Sequence, residues 1–94
     1  MRNLSWDDFR DSAGVVYSVE SPSGPLALRL DVAAPLAGSG REGDGFRLEL
    51  VGPPDPVLPQ AIYRFSADSV EPFEMFIVPV ERDAYGTRYE AIFF

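Results

Sequence analysis

Leu26, Leu28, Leu30 and Val32 alternate with Ala27, Arg29 and Asp31, and the same period of two returns where Phe46, Leu48 and Leu50 alternate with Arg47 and Glu49. Successive side chains of a strand point to opposite faces, so a chain patterned this way buries one face of a sheet and wets the other. A helix would scatter those leucines around its circumference. The polar faces carry both signs, so Arg29, Asp31, Arg47 and Glu49 can pair across neighbouring strands, each pair contributing about 0.2–0.5 kcal/mol.

The period extends to the remaining segments. Val15 to Glu20 reads as a first strand, closed by the turn-forming Ser21-Pro22-Ser23-Gly24-Pro25. Gly-rich Ala33 to Asp44 reads as a flexible loop, and Gly52-Pro53-Pro54-Asp55-Pro56 breaks the sheet, because proline cannot donate to a ladder. A fourth strand spans Ala61 to Phe65, and Ser66 to Pro72 is a connection. From Phe73 to Val80 both faces are apolar, with Phe73, Met75 and Ile77 on one and Phe76, Val78 and Val80 on the other. That strand is expected to be covered on both sides or to lie against a partner. Glu81 to Gly86 is a hairpin loop with Gly86 placed where a positive φ is easiest. The last strand, Thr87 to Phe94, sets Tyr89, Ala91 and Phe93 against Arg88, Glu90, Ile92 and Phe94, and turns apolar on both faces only over its last residues.

One helix signal precedes the strands. Ser5 is a good N-cap, Asp7 and Asp8 fall in a first turn where the helix dipole favours negative charge, and Leu4 with Phe9 has the spacing of a hydrophobic staple. With Gly14 as a stop, the helix has about six to eight residues and must be held by docking Trp6 and Phe9 as a lid over one end of a sheet. The expected fold is all-β: about six antiparallel strands in a small barrel or curled sandwich with one short N-terminal helix, in a single domain over residues 1–94.

Composition narrows the chemistry. The chain has no Cys and no His, and its eight basic residues are all Arg. Disulfides, thiolate metal sites, the commonest general base and Schiff-base lysines are therefore absent from the repertoire. Fifteen acidic against eight basic residues give a net charge of −7, which opposes a phosphate backbone or an anionic lipid surface. No segment has the roughly 20 apolar residues of a membrane helix, and the first residues lack the apolar run of a signal peptide, so cytoplasmic residence is the expectation.

The remaining polar clusters have plain structural readings. Asp7 with Asp8, and Glu42 with Asp44, are paired carboxylates, but the first pair suits a helix start and the second a solvated loop. Glu42-Gly43-Asp44-Gly45 lacks the spacing of a calcium loop, and Gly38-Ser39-Gly40 lacks the strand, helix and Lys of a phosphate cradle. No metal and no cofactor is expected. Pro53 to Pro59 reads as a rigid connection in preference to a ligand for an aromatic groove.

Four motifs in order point to a family. Gly-Phe-x-Leu-x-Leu-x-Gly-Pro at Gly45 to Pro53, Leu-Pro-Gln-x-x-Tyr at Leu58 to Tyr63, Phe-x-x-Phe-x-Val-Pro at Phe73 to Pro79 and Arg-Tyr-Glu-Ala-Ile-Phe at Arg88 to Phe93 resemble a family of short bacterial domains of unknown function that end on a Tyr-Glu-Ala-Val/Ile-Phe strand. Ala61 stands where such members commonly have Gly after Gln, and Phe94 where they commonly have Asn. The resemblance implies no catalytic residue. It implies a structural or assembly role, some members being associated with gene neighbourhoods of phage-tail-collar-like proteins.

The expected function is thus a non-catalytic interaction or assembly module, phage-tail-like or fibre-like in setting. Its partner is another protein or a second copy, bound through Phe76, Val78, Ile92 and Phe94. The alternative is a small-ligand-binding or weakly enzymatic barrel with a cavity at its mouth, lined by Tyr17, Tyr63, Tyr89 and Arg side chains.

Overall fold

The computed structural model describes residues 4–36 and 45–93. Among them are six strands: β1 (Val16–Ser21), β2 (Gly24–Pro35), β3 (Phe46–Gly52), β4 (Ala61–Ala67), β5 (Val70–Asp83) and β6 (Gly86–Phe93). All pair antiparallel in the order β1-β2-β3-β6-β5-β4, and β4 returns to β1, so the sheet closes into a barrel. Closure decides between the two architectures that alternation left open.

The inward face is the one the alternation predicts for most of its length. Leu28, Leu30, Leu48, Leu50, Phe65, Ile77 and Tyr89 are fully buried, and Phe73 and Met75 nearly so. Aromatic rings fill one half of the interior: Phe65 stacks on Phe73 at 5.4 Å, and Tyr17 meets both edge-on. Such pairs add about 0.5–1.5 kcal/mol each beyond the area they bury.

Three bulges break the period and bend the strands toward closure. They lie between Leu30 and Val32, between Phe65 and Ala67, and between Pro79 and Glu81. The first corrects the expected face of β2. Past Asp31 it is Ala33, opposite Leu48, that packs on the core, while Val32 pairs with Glu49 on the outside.

The N-terminal segment is a single 3-10 turn, Trp6–Asp8, in place of the expected six-to-eight-residue helix. Its capping holds, since the Ser5 N–H donates to Asp8 Oδ2 at 2.8 Å. The turn stops because Phe9 leaves it to enter the barrel, where it is 1% exposed and packs against Phe46 and Phe73 at 5.8 and 5.6 Å. Burying one aromatic ring outweighs the few helical hydrogen bonds forgone. Gly14, at φ 93°, then turns the chain into the sheet and donates to the Leu30 carbonyl at 2.7 Å. As expected, this segment covers one end of the sheet.

The opposite end is crossed by the proline segment, which connects β3 to β4 as its composition predicts. Leu58 drops into the core, and its N–H donates to the Tyr89 hydroxyl at 2.9 Å. The Pro54 carbonyl accepts from Arg82 Nε at 2.7 Å, and Tyr63 Oη donates to the Pro59 carbonyl at 2.6 Å.

The connections are tighter than expected: β2 runs through Ala33 to Pro35, residues expected to open a loop, and only Pro22 and Ser23 separate it from β1. β4 and β5 are joined by a turn at Asp68 and Ser69, with Ser69 at φ 63°, in place of a Ser66 to Pro72 connection. β5 and β6 meet at Ala84 and Tyr85, where Asp83 Oδ1 accepts from the Tyr85 and Gly86 N–H groups. Gly86 has no positive φ; it is small because a Cβ there would come within 2.6 Å of the Gly52 carbonyl oxygen.

Candidate interaction surface

Every strand has an outer face as well, and around the ring these faces differ. On β4, β5 and the Ile92 end of β6 the outer face carries an apolar stripe. Ile62 and Phe76 are register partners, 60% and 51% exposed. Val78, partly buried, sits opposite Glu90 on the next strand, and two residues further along that strand lies Ile92, 45% exposed. Val80, on the same face as Phe76 and Val78 by alternation and at the bulge between Pro79 and Glu81, is 51% exposed. Arg64 opposite Glu74, together with Glu90, rims this stripe. Single exposed apolar residues are ordinary on a soluble surface, whereas a contiguous set with a polar rim is the pattern of an interaction site.

The outer face of β2, β3 and the Arg88 end of β6 is charged. Arg88 stands between two carboxylates, with Nη1 donating to Asp31 Oδ2 at 3.0 Å and to Glu49 Oε1 at 2.8 Å. Arg29 reaches Asp31 at 3.0 Å within its own strand, and Arg47 does the same for Glu49. The expected cross-strand pairing of these four residues is therefore mostly within strands, and Arg88 supplies the link across. Arg29 first and Arg88 second hold Asp31 below its ordinary carboxylate value, and Arg47 followed by Arg88 does so for Glu49.

The sequence-derived partner residues Phe76, Val78 and Ile92 all lie on the apolar wall, and Phe94 lies outside the described residues. Ile62 belongs with them. Its signal is in the sequence, since Ala61, Tyr63 and Phe65 alternate with Ile62, Arg64 and Ser66. Of the tyrosines of the alternative reading, Tyr63 and Tyr89 both bond to the Leu58–Pro59 segment, whereas Tyr17 packs against Phe65 and Phe73. Tyr17 and Tyr89 are buried in the core, and Tyr63, beside Tyr89, is largely buried, which pushes its phenol above the usual value. Both ends of the ring are stopped, by Phe9 and by Leu58.

Among the described residues no group of three or more acidic, His or Cys side chains is placed to hold a metal ion. The carboxylates and glycines between Gly38 and Asp44 lie outside the described residues. No helix among the described residues is long and apolar enough to cross a membrane.

A family model spans residues 4–93, from the N-terminal plug to the end of β6. The chain belongs to the family described as Domain of unknown function (DUF6916). No curated protein and no solved structure matches it. The family match covers the whole ring, so in this DUF6916 domain the apolar and charged walls are parts of one family unit.

Proposed function

We propose that this domain is a non-catalytic interaction module that assembles with another protein through the outer wall of β4, β5 and β6. The observation that carries this reading is that Ile62, Phe76, Val80 and Ile92 are each 45% exposed or more on one continuous face, whereas the other large exposed apolar residues, Val16, Val57 and Tyr85, lie on separate elements. A repertoire without His, Cys or Lys favours recognition over proton transfer. Two copies would each bring a net charge of −7 to a shared interface, so the partner we propose is a different protein of lower or opposite charge. A bacterial and phage-tail-like setting is supported by the motif resemblance alone, and a cytoplasmic one by a Cys-free composition that fits a reducing compartment. With both ends of the ring stopped, the structure offers less to a ligand site at the mouth than to the wall.

The test is light scattering on the isolated domain together with affinity capture from the native host, comparing the wild type with Phe76→Arg. A monomer whose captured partner is lost in Phe76→Arg and kept in Arg29→Gln supports the reading. A partner captured equally by all three, or none, overturns it.

A further inference from the structure

The ring closes through a short seam. β1 and β4 pair only at Ser18 with Ser66 and Val19 with Phe65, whereas every other seam carries at least five registered pairs. One step further the same register brings Glu20 level with Arg64. Their side chains still meet, Nε to Oε2 at 3.4 Å, but the main chains no longer pair. Beyond that clasp the strands part around a depression of about 530 Å³, floored by Ala61, Ile62 and Tyr63 and walled by Pro22 and Pro59.

Both strands flanking the depression keep a partner on their far side. Glu20 and Ser21 remain paired with Pro25 and Gly24 of β2, and Ala61, Ile62 and Tyr63 remain paired with Ile77, Phe76 and Met75 of β5. Each therefore turns a strand edge toward the gap, with no strand among the described residues opposite it. A paired strand with one open edge is a template for another. The prolines at the walls have no N–H to offer, so they bound the slot without extending the edge. Its length along β4, three residues, is about 10 Å.

We infer that this split seam takes up an extended segment of a basic partner protein, which adds as a strand beside Ala61 to Tyr63 and sets its apolar side chains in the depression. The inference rests on the proposed assembly role and says how the partner engages. Charge selects the occupant: the chain as a whole is at −7, and among the described residues Glu20 at the rim is shared only with the exposed Arg64, so a cationic segment is attracted and a second copy is repelled. Ile62 belongs both to the floor of the slot and to the exposed wall, so one partner can cover both surfaces without a gap.

The experiment uses the full chain and a nine-residue fluorescent peptide of alternating Val and Arg as the probe. Anisotropy measures binding, and amide exchange locates it. Binding is expected with slowed exchange at Ala61, Ile62 and Tyr63. The same peptide N-methylated at alternate residues, equal in charge but poorer in donors, should bind about tenfold more weakly. Ala61→Phe, which fills the slot, and Glu20→Arg, an exposed change at its rim, should each weaken binding about tenfold or more, while Tyr85→Ser at the β5–β6 tip should not. Equal binding of the two peptides, indifference to both variants, or protection elsewhere on the ring overturns the inference. So does a dimer in light scattering that protects the same amides. Native-partner capture separates the two readings: if it is lost in Phe76→Arg and kept in Ala61→Phe and Glu20→Arg, the wall stands and the seam falls, and if it survives all three, both fall.

Discussion

The two outer walls of this barrel are built on the same kind of interior and finished in opposite ways. Beneath β2, β3 and β6 lie Leu30, Leu48, Leu50 and Tyr89; beneath β4 and β5 lie Phe65, Phe73, Met75 and Ile77. Outside, the first wall closes its polar groups on one another through Arg88, and the second leaves Ile62, Phe76 and Val80 half exposed or more. A surface whose charges are satisfied internally has little left to offer a partner. A wall of uncovered side chains is stable only because the interior beneath it supplies the folding energy. On the proposed reading, folding and recognition are assigned to opposite faces of the same strands.

The largest expected effect tests whether the two walls share one core. Phe65→Ala beneath the apolar wall and Leu48→Ala beneath the charged wall should each lower unfolding stability by about 2–5 kcal/mol in urea titrations. A cost confined to one side would mean that the halves do not unfold together.

Next comes the hub of the charged wall. Arg88→Met removes the cross-strand link from two carboxylates that are each under a third exposed, and about 0.5–1 kcal/mol should be lost, less at high salt. A loss that does not change with salt would show that packing of the arginine stem, and not charge, holds this wall.

A pH titration sharpens the same point. Asp31 and Glu49 have folded-state values below their ordinary 3.8 and 4.5, so between the two values the unfolded chain binds more protons than the folded one. Their contribution is therefore full above the ordinary carboxylate range and is lost as pH falls through the lowered folded values. Thermal melts should show this acid loss in the wild type and a shallower one in the Asp31→Asn, Glu49→Gln double variant. Tyr63 runs the other way. Its value is raised above 10.0, chiefly by burial and then by Tyr89, so its contribution holds below pH 10 and fades as pH rises further, and Tyr63→Phe should flatten that alkaline limb.

The smallest effect on stability is expected on the apolar wall. Phe76→Arg should change unfolding stability by about 0.5 kcal/mol or less, while removing partner capture. A large loss of stability there would make Phe76 a packing residue and erase the contrast between the walls.

How much of this was legible depends on the range of the interaction involved. Alternation at Leu26 to Leu30 and Phe46 to Leu50 is a local property, and it identified the inward faces of β2 and β3 correctly. The doubly apolar pattern of Phe73 to Val80 likewise identified a second apolar face at Phe76, Val78 and Val80, but the cover expected over it is not supplied by the ring, where Phe76 and Val80 are each 51% exposed. Val32 was misassigned because a bulge is chosen by the curvature of the closed sheet and leaves no mark in a period of two. The helix expected after Ser5 became one turn because Phe9 is drawn into the barrel by residues far along the chain, Phe46 and Phe73. Gly86 is a similar case: its sequence context suggests a turn conformation, but the constraint is the Gly52 carbonyl of another strand.

The sequence by itself determined that the domain is all-β, which residues face inward over most strands, and that chemistry dependent on His, Cys or Lys lies outside its repertoire. These follow from residue type and period, which act locally. Only the tertiary structure decided that the sheet closes, that Arg88 joins Asp31 to Glu49, that Phe9 and Leu58 stop the two ends, and that β1 and β4 meet along so short a seam. Each depends on which distant residues become neighbours, and that is settled by the global minimum of packing and hydrogen bonding, not by any one segment.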